Sequence, residues 1–131
     1  MSGLMLRAWK LITACAAACA LLGVAAAAAK APGKPSKPTL VTVNDDYFEP
    51  NAVTVKKGGS VKWIWSSNNI EPHDVHLRKW PKGLKRKGSY STKTTAVTEA
   101  QWKDTFPTPG TYKFICTIHP TEMKLTVTVK K

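Results

Sequence analysis

The feature that most constrains this chain is alternation. Ser60-Val-Lys-Trp-Ile-Trp65 sets Val61, Trp63 and Trp65 on one face, and Val53-Thr-Val-Lys56 alternates before the turn Lys57-Gly-Gly59. Tyr112, Phe114 and Cys116 share a face after the turn Pro107-Thr-Pro-Gly110, as do Leu125, Val127 and Val129 near the end. Leu40 to Val43 is apolar and β-branched, and Val75 and Leu77 share a face in a further strand. A period of two belongs to strands with one buried face. With turn signals every ~8 to 12 residues, the pattern predicts an all-β sandwich. No segment carries a helical period, though a short helix or turn is expected between Val97 and Lys103. Lys79 to Lys93, rich in basic residues and broken by Pro81, Gly83 and Gly88, reads as a long loop or a loop with an irregular edge strand.

The first 29 residues do not belong to this pattern. Arg7 and Lys10 make a basic start, Leu11 to Ala29 carries no charge, and Ala27 and Ala29 are the small residues a signal peptidase accepts. Residues 1–29 are therefore expected to be a signal peptide. The alternatives are a retained membrane anchor and a lipoprotein signal at Ile12-Thr-Ala-Cys15, although the apolar run continues well past Cys15. All three readings export the domain, to a periplasm or a cell surface. Residues 30–38, alternating Lys and Pro with small residues, read as a stiff linker. The domain is then 39–131, one domain in a chain of 131 residues.

The net charge is +12. Removal of the leader takes away only Arg7 and Lys10, so the exported part stays strongly basic. Such a surface attracts anionic partners. Export argues against nucleic acid and for an acidic redox protein, anionic lipid head groups or an acidic cell-wall polymer. The expected state is a monomer.

Of three Cys, Cys15 and Cys19 lie in the leader, which leaves Cys116 alone in the domain. A single Cys forms no internal disulfide; it is an idle thiol, an intermolecular bridge, a nucleophile or a ligand. Its neighbours favour the ligand. Tyr112-Lys-Phe-Ile-Cys116-Thr-Ile-His119-Pro-Thr-Glu-Met123 gathers thiol, imidazole and thioether within eight residues, between two apolar strands. That soft set selects copper, whereas zinc takes further Cys, His or carboxylate. A thiol nucleophile needs a base, an orienting group and an open cleft, and no orienting group stands out, so enzymatic activity is not expected. A second His comes from His73 or His76. Alternation after Pro72 puts His73 on the face of Val75 and Leu77, and His76 opposite with Asp74 and Arg78. His73 is the ligand candidate and His76 a surface residue.

Asn68-Asn-Ile-Glu-Pro72-His73-Asp-Val-His-Leu77, followed by the Cys116 to Met123 segment, resembles the copper-binding motifs of the cupredoxins, the family of plastocyanin, amicyanin and pseudoazurin. Phe48-Glu-Pro-Asn-Ala-Val-Thr-Val-Lys-Lys-Gly-Gly-Ser-Val-Lys-Trp-Ile-Trp65 is similar to their opening strands, so the resemblance covers about residues 40–130. It implies a Greek-key β-sandwich of about seven or eight strands with one type 1 copper ion. It implies His73, Cys116 and His119 as equatorial ligands, Met123 as axial ligand, and single-electron transfer with a protein partner. Copper delivery or storage is the alternative; a single Met and three His suit one fixed site better than an exchange surface. Two departures from the family pattern stand out. Asp74 replaces the usual Asn after the first ligand, and three residues separate His119 from Met123, where amicyanin-like loops leave two. The shorter spacing would put Glu122 in the axial position. The docking patch implied by the resemblance lies around His119 with Pro120 and Pro72, and the basic loop 79–87 is expected to steer an acidic partner toward it.

Overall fold

A computed structural model of the chain describes residues 36–85 and 87–131; the expected signal peptide and most of the linker lie outside them. Among the described residues, eight strands form two four-stranded sheets. They are β1 (Thr39–Asn44), β2 (Tyr47–Glu49), β3 (Ala52–Lys56), β4 (Ser60–Trp65), β5 (His76–Lys79), β6 (Gln101–Thr105), β7 (Gly110–Ile115) and β8 (Lys124–Lys130). One sheet runs β2-β1-β4-β6 and the other β3-β8-β7-β5. β1 pairs β4 in parallel and β3 pairs β8 in parallel, while the remaining pairs are antiparallel.

The predicted inward faces are the buried ones. Val41, Val43, Val61, Trp63 and Trp65 from the first sheet meet Val53, Val55, Tyr112, Phe114, Leu125, Val127 and Val129 from the second. Trp63 is the hub: its ring lies 4.6 Å from Trp102 and 5.4 Å from Phe114, centroid to centroid. Edge-on and tilted aromatic pairs of this kind add to the area they bury.

Two sequence expectations change. The region between Val97 and Lys103 holds no helix; its second half opens β6, where Trp102 pairs with Trp63. β6 is an edge strand with partly exposed alternation, so its periodicity is faint in the sequence and it is held by its neighbour. Second, the strand after Pro72 begins only at His76. His73, Asp74 and Val75 precede it and are all buried, so Asp74 does not share an outer face with His76. Lys79 to Lys93 is a loop, as expected; its described residues hold one 3-10 turn (Lys87–Ser89), and it begins at the end of the sandwich opposite Ile115, since β5 pairs His76 with Ile115 and Lys79 with Lys113. Gly110 fixes it there: φ is +133° and an added Cβ would stand 2.6 Å from Pro81 Cβ, so only glycine fits.

Replacing Trp63 by Ala removes the hub. Urea unfolding should show a loss of about 3–5 kcal/mol; a loss below about 1 kcal/mol would show that the two sheets do not depend on it.

Candidate metal centre

Three loops meet at one end of the sandwich. They are the turn at residues 45–46 between β1 and β2, residues 66–75 between β4 and β5, and residues 116–123 between β7 and β8. Side-chain bonds to the backbone stitch the first two. Asp45 accepts the backbone N–H of Ile70 at 3.0 Å and of Glu71 at 3.3 Å. Buried Asn69 donates to the carbonyls of Val43 at 2.9 Å and Val97 at 3.1 Å. The Trp65 indole donates to the His73 carbonyl at 3.2 Å. An Asx or amide side chain can replace missing ladder partners in this way, which is how an irregular loop stays ordered.

Asp74 joins the second loop to the third. Its carboxylate accepts the Thr117 backbone N–H at 2.7 Å and a short bond from the Thr117 hydroxyl. Its own N–H points to the Cys116 sulfur at 3.5 Å. These bonds explain why Asp74 is buried. A carboxylate leaves water only when fixed donors replace it, and here the donors belong to the loop that follows Cys116.

The loops bring one donor atom each of His73, Cys116 and His119 within 4.8 Å of one another. His73 Nδ1 is 3.8 Å from Cys116 Sγ, and the two rings lie 5.1 Å apart, centroid to centroid. His73 and Cys116 are fully buried, while the His119 side chain is 20% exposed. Met123 is also fully buried; its N–H donates to the His119 carbonyl at 2.9 Å, and its carbonyl accepts from Cys116 N–H at 3.2 Å. The four residues picked from the sequence thus come to one end of the core. His76 does not join them: it faces outward, 3.7 Å from Asp74. Glu122 is exposed and its carboxylate accepts from the Thr121 hydroxyl at 2.6 Å, a bond that holds the carboxyl below the ordinary range.

Both histidines turn their outer nitrogens to carboxylates. His73 Nε2 lies 2.8 Å from Asp45 Oδ1, and His119 Nε2 lies 2.8 Å from Glu71 Oε2 and 3.9 Å from Asp46 Oδ1. A carboxylate only accepts, so each Nε2 carries the proton and each Nδ1 keeps its lone pair. The His73 bond is also the largest reason the Asp45 carboxyl sits below its usual range. The inner consequence is visible at His119, whose Nδ1 is buried without a hydrogen-bond partner. A buried, unpartnered nitrogen facing a thiol and a second imidazole fits a metal, and the soft donor set fits copper. Sequence reasoning did not find Asp45, Asp46 or Glu71. The doublet Asp45-Asp46 was its only local signal, and the contact to His73 spans 28 residues.

Asp45→Asn keeps the shape and removes the charge behind His73. It should weaken copper binding about 10–100-fold in a chelator competition titration. An unchanged affinity would mean that Asp45 only caps its loop.

Comparison with known proteins agrees with this geometry. The sequence profile of "copper binding proteins, plastocyanin/azurin family" matches residues 38–130. The chain is 33% identical over 72 residues to plastocyanin of Prochlorothrix hollandica, covering 55% of this chain and 53% of that protein, so it spans about half the length of that relative. It is 32% identical over 89 residues to amicyanin-alpha of Methylorubrum extorquens, covering 66% of this chain and 67% of the relative. Among solved structures, a reduced amicyanin variant superposes with a TM-score of 0.56 at 29% identity, over 71% of this chain and 82% of that one. A copper-containing nitrite reductase from Thermus scotoductus superposes with a TM-score of 0.60 over 72% of this chain but only 23% of the enzyme, and at 22% identity it shows the fold alone. The cupredoxin sandwich, the soft donors gathered at its end and the profile match over nearly all of the described residues make the chain a member of the plastocyanin/azurin family of copper-binding proteins.

Proposed function

We propose that this protein is an exported one-electron carrier in which His73, Cys116, His119 and Met123 would hold one copper ion. The observation that carries the reading is the convergence of three donor atoms within 4.8 Å beside a buried methionine. Bound there, copper supplies a one-electron couple. Everything else is the work of the chain. Cys116 is braced by the Asp74 N–H, and its thiolate excludes harder metals. The Asp74–Thr117 bonds keep the two ligand loops in register, so the donors need not move when the charge of the site changes. Burial of His73, Cys116 and Met123 keeps water out. The partly exposed edge of His119 is then the shortest route between the site and a partner. This closed arrangement supports electron carriage over copper delivery, which needs ligands that exchange, and over catalysis, which needs room for a substrate. The apolar leader at residues 1–29 supports export to a periplasm or cell surface, with 30–38 as linker and 39–131 as the functional domain.

Added Cu(II) should give an intense thiolate-to-copper charge-transfer band in the visible spectrum, and Cys116→Ala should abolish it. A Cys116→Ala protein that keeps the band would overturn the ligand set. The fourth ligand is read from two variants. Met123→Leu should shift the reduction potential, and Glu122→Gln should leave the band where it is; the reverse pattern would make Glu122 the fourth ligand in place of Met123.

A further inference from the structure

Charge is segregated from one end of the sandwich to the other. The three loops at the metal centre carry Asp45, Asp46, Glu71, Asp74 and Glu122, five of the eight acidic residues, and none of the twenty Lys and Arg. The opposite end is basic, and strand register shows how it is built. Lys56 of β3 stands across from Lys130 of β8, Lys62 of β4 from Lys103 of β6, and Lys79 of β5 from Lys113 of β7. Each pair lies within three residues of the strand ends that face away from the metal centre. All but half-buried Lys62 are exposed. Like charges set directly opposite across strands repel and weaken a sheet. Glu on one side of each pair would hold the same strands better, so folding does not account for three such pairs. None of the six forms an ion pair among the described residues. Of the eight carboxylates only Asp104 stands at this end, with its Oδ1 accepting the Thr105 N–H at 2.7 Å.

The loop after β5 adds to the same pole. Pro81 lies against Gly110 at the start of β7, and Lys85 lines a cleft with Asp104, Thr105 and Pro107. The basic loop expected to steer a partner toward His119 therefore belongs to the opposite end. Two apolar side chains stand out among these lysines. Trp80 follows Lys79, is 40% exposed and has Lys87 Nζ 4.7 Å from its ring centroid. Leu40 is 48% exposed and lies across from Lys62. The chain also enters the domain here. Thr39 opens β1 opposite Val61, directly after the Lys- and Pro-rich residues 30–38 that follow the apolar leader. Connectivity thus ties this pole, rather than the metal end, to the apolar segment.

We infer that the pole opposite the metal centre is a docking surface for a bilayer of anionic lipid, held by the three Lys pairs and Trp80. The pairs belong to both sheets, so their ammonium groups do not converge on one small anion; they suit an extended anionic surface. A protein partner needs a contiguous apolar core at its interface, and Leu40 and Trp80 lie on different sheets. Single apolar side chains among lysines are the composition of a surface that rests in lipid head groups, where Trp settles at the interface and Lys meets phosphate. Head-group phosphates also relieve the repulsion built into the three pairs. Docked in this way, the metal centre faces away from the bilayer. The inference stands on surface charge and strand register, and not on the copper reading.

The probes are vesicles of phosphatidylcholine, with and without about one-third phosphatidylglycerol, and soluble polyglutamate. With the full chain, the anionic lipid should raise vesicle affinity at least about tenfold at low salt, and about 300 mM salt should remove most of that gain. Lys79→Gln with Lys113→Gln should weaken binding to anionic vesicles about tenfold. The same change removes a repulsion, so the thermal midpoint should stay level or rise; a lowered midpoint would make the pair a structural element and count against the inference. Trp80→Ala should weaken binding to the anionic vesicles and leave polyglutamate binding unchanged. Amide hydrogen exchange places the contact and needs no copper. Anionic vesicles should protect residues 79–85 and 130–131 and leave 66–75 and 116–123 exchanging as before, which also separates docking by this pole from insertion of the leader. Equal affinity for neutral and anionic vesicles, or protection at 116–123 instead of the pole, would overturn the inference. Polyglutamate binding that falls with Trp80→Ala as far as vesicle binding does would assign the pole to a soluble acidic partner instead.

Discussion

The structure at the metal end depends on one buried carboxylate. Asp74 reaches from the loop before β5 to the loop after β7 and takes both the N–H and the hydroxyl of Thr117, while its own N–H points to the Cys116 sulfur. Without it, His73 and the Cys116 to Met123 segment would be two separate loops, each free to choose its own conformation. Both bonds are charge-assisted and part-buried, so each is stronger than a neutral, fully exposed counterpart. The remainder of the centre is built outward from this tie. Trp65 holds the His73 carbonyl, Asn69 holds the loop to β1, and Asp45 closes behind the His73 ring.

The two histidines are treated differently by the same chemistry. His73 is enclosed, and its carboxylate partner Asp45 also caps two backbone amides. Its role is to fix a tautomer and a ring angle. His119 reaches the surface, and its partner Glu71 is exposed. The same pairing therefore serves orientation at the buried histidine and surface charge at the exposed one. Cationic body and anionic metal end follow from where short loops happen to carry their Asp and Glu, and a net charge cannot report such a separation.

How much of this was legible in advance depended on range. Val61, Trp63, Trp65, Tyr112 and Phe114 were legible as core because a two-residue period is local. The ligand candidates Cys116, His119 and Met123 were legible because they share one short segment of distinctive donors. His73 needed an alternation argument, and the structure does place it beside Cys116 and His119, though the argument was incomplete. The segment 73–75 is not yet strand, and all three residues are buried. Strand β6 was missed because an edge strand is half-exposed and its pattern is weak; Trp102 is recognisable only once it lies on Trp63.

The sequence alone determined the class of fold and the kind of metal its donors suit, since periodicity and donor softness are properties of residues and their neighbours. Tertiary structure alone decided which carboxylates stand behind which imidazole, why Asp74 is buried, and which charges face outward at the metal end. Those depend on pairs such as Asp45 with His73 and Asp74 with Thr117, separated by 28 and 43 residues. No local pattern encodes contacts over such distances; they exist only after the sheets have packed and the loops have been brought to one end.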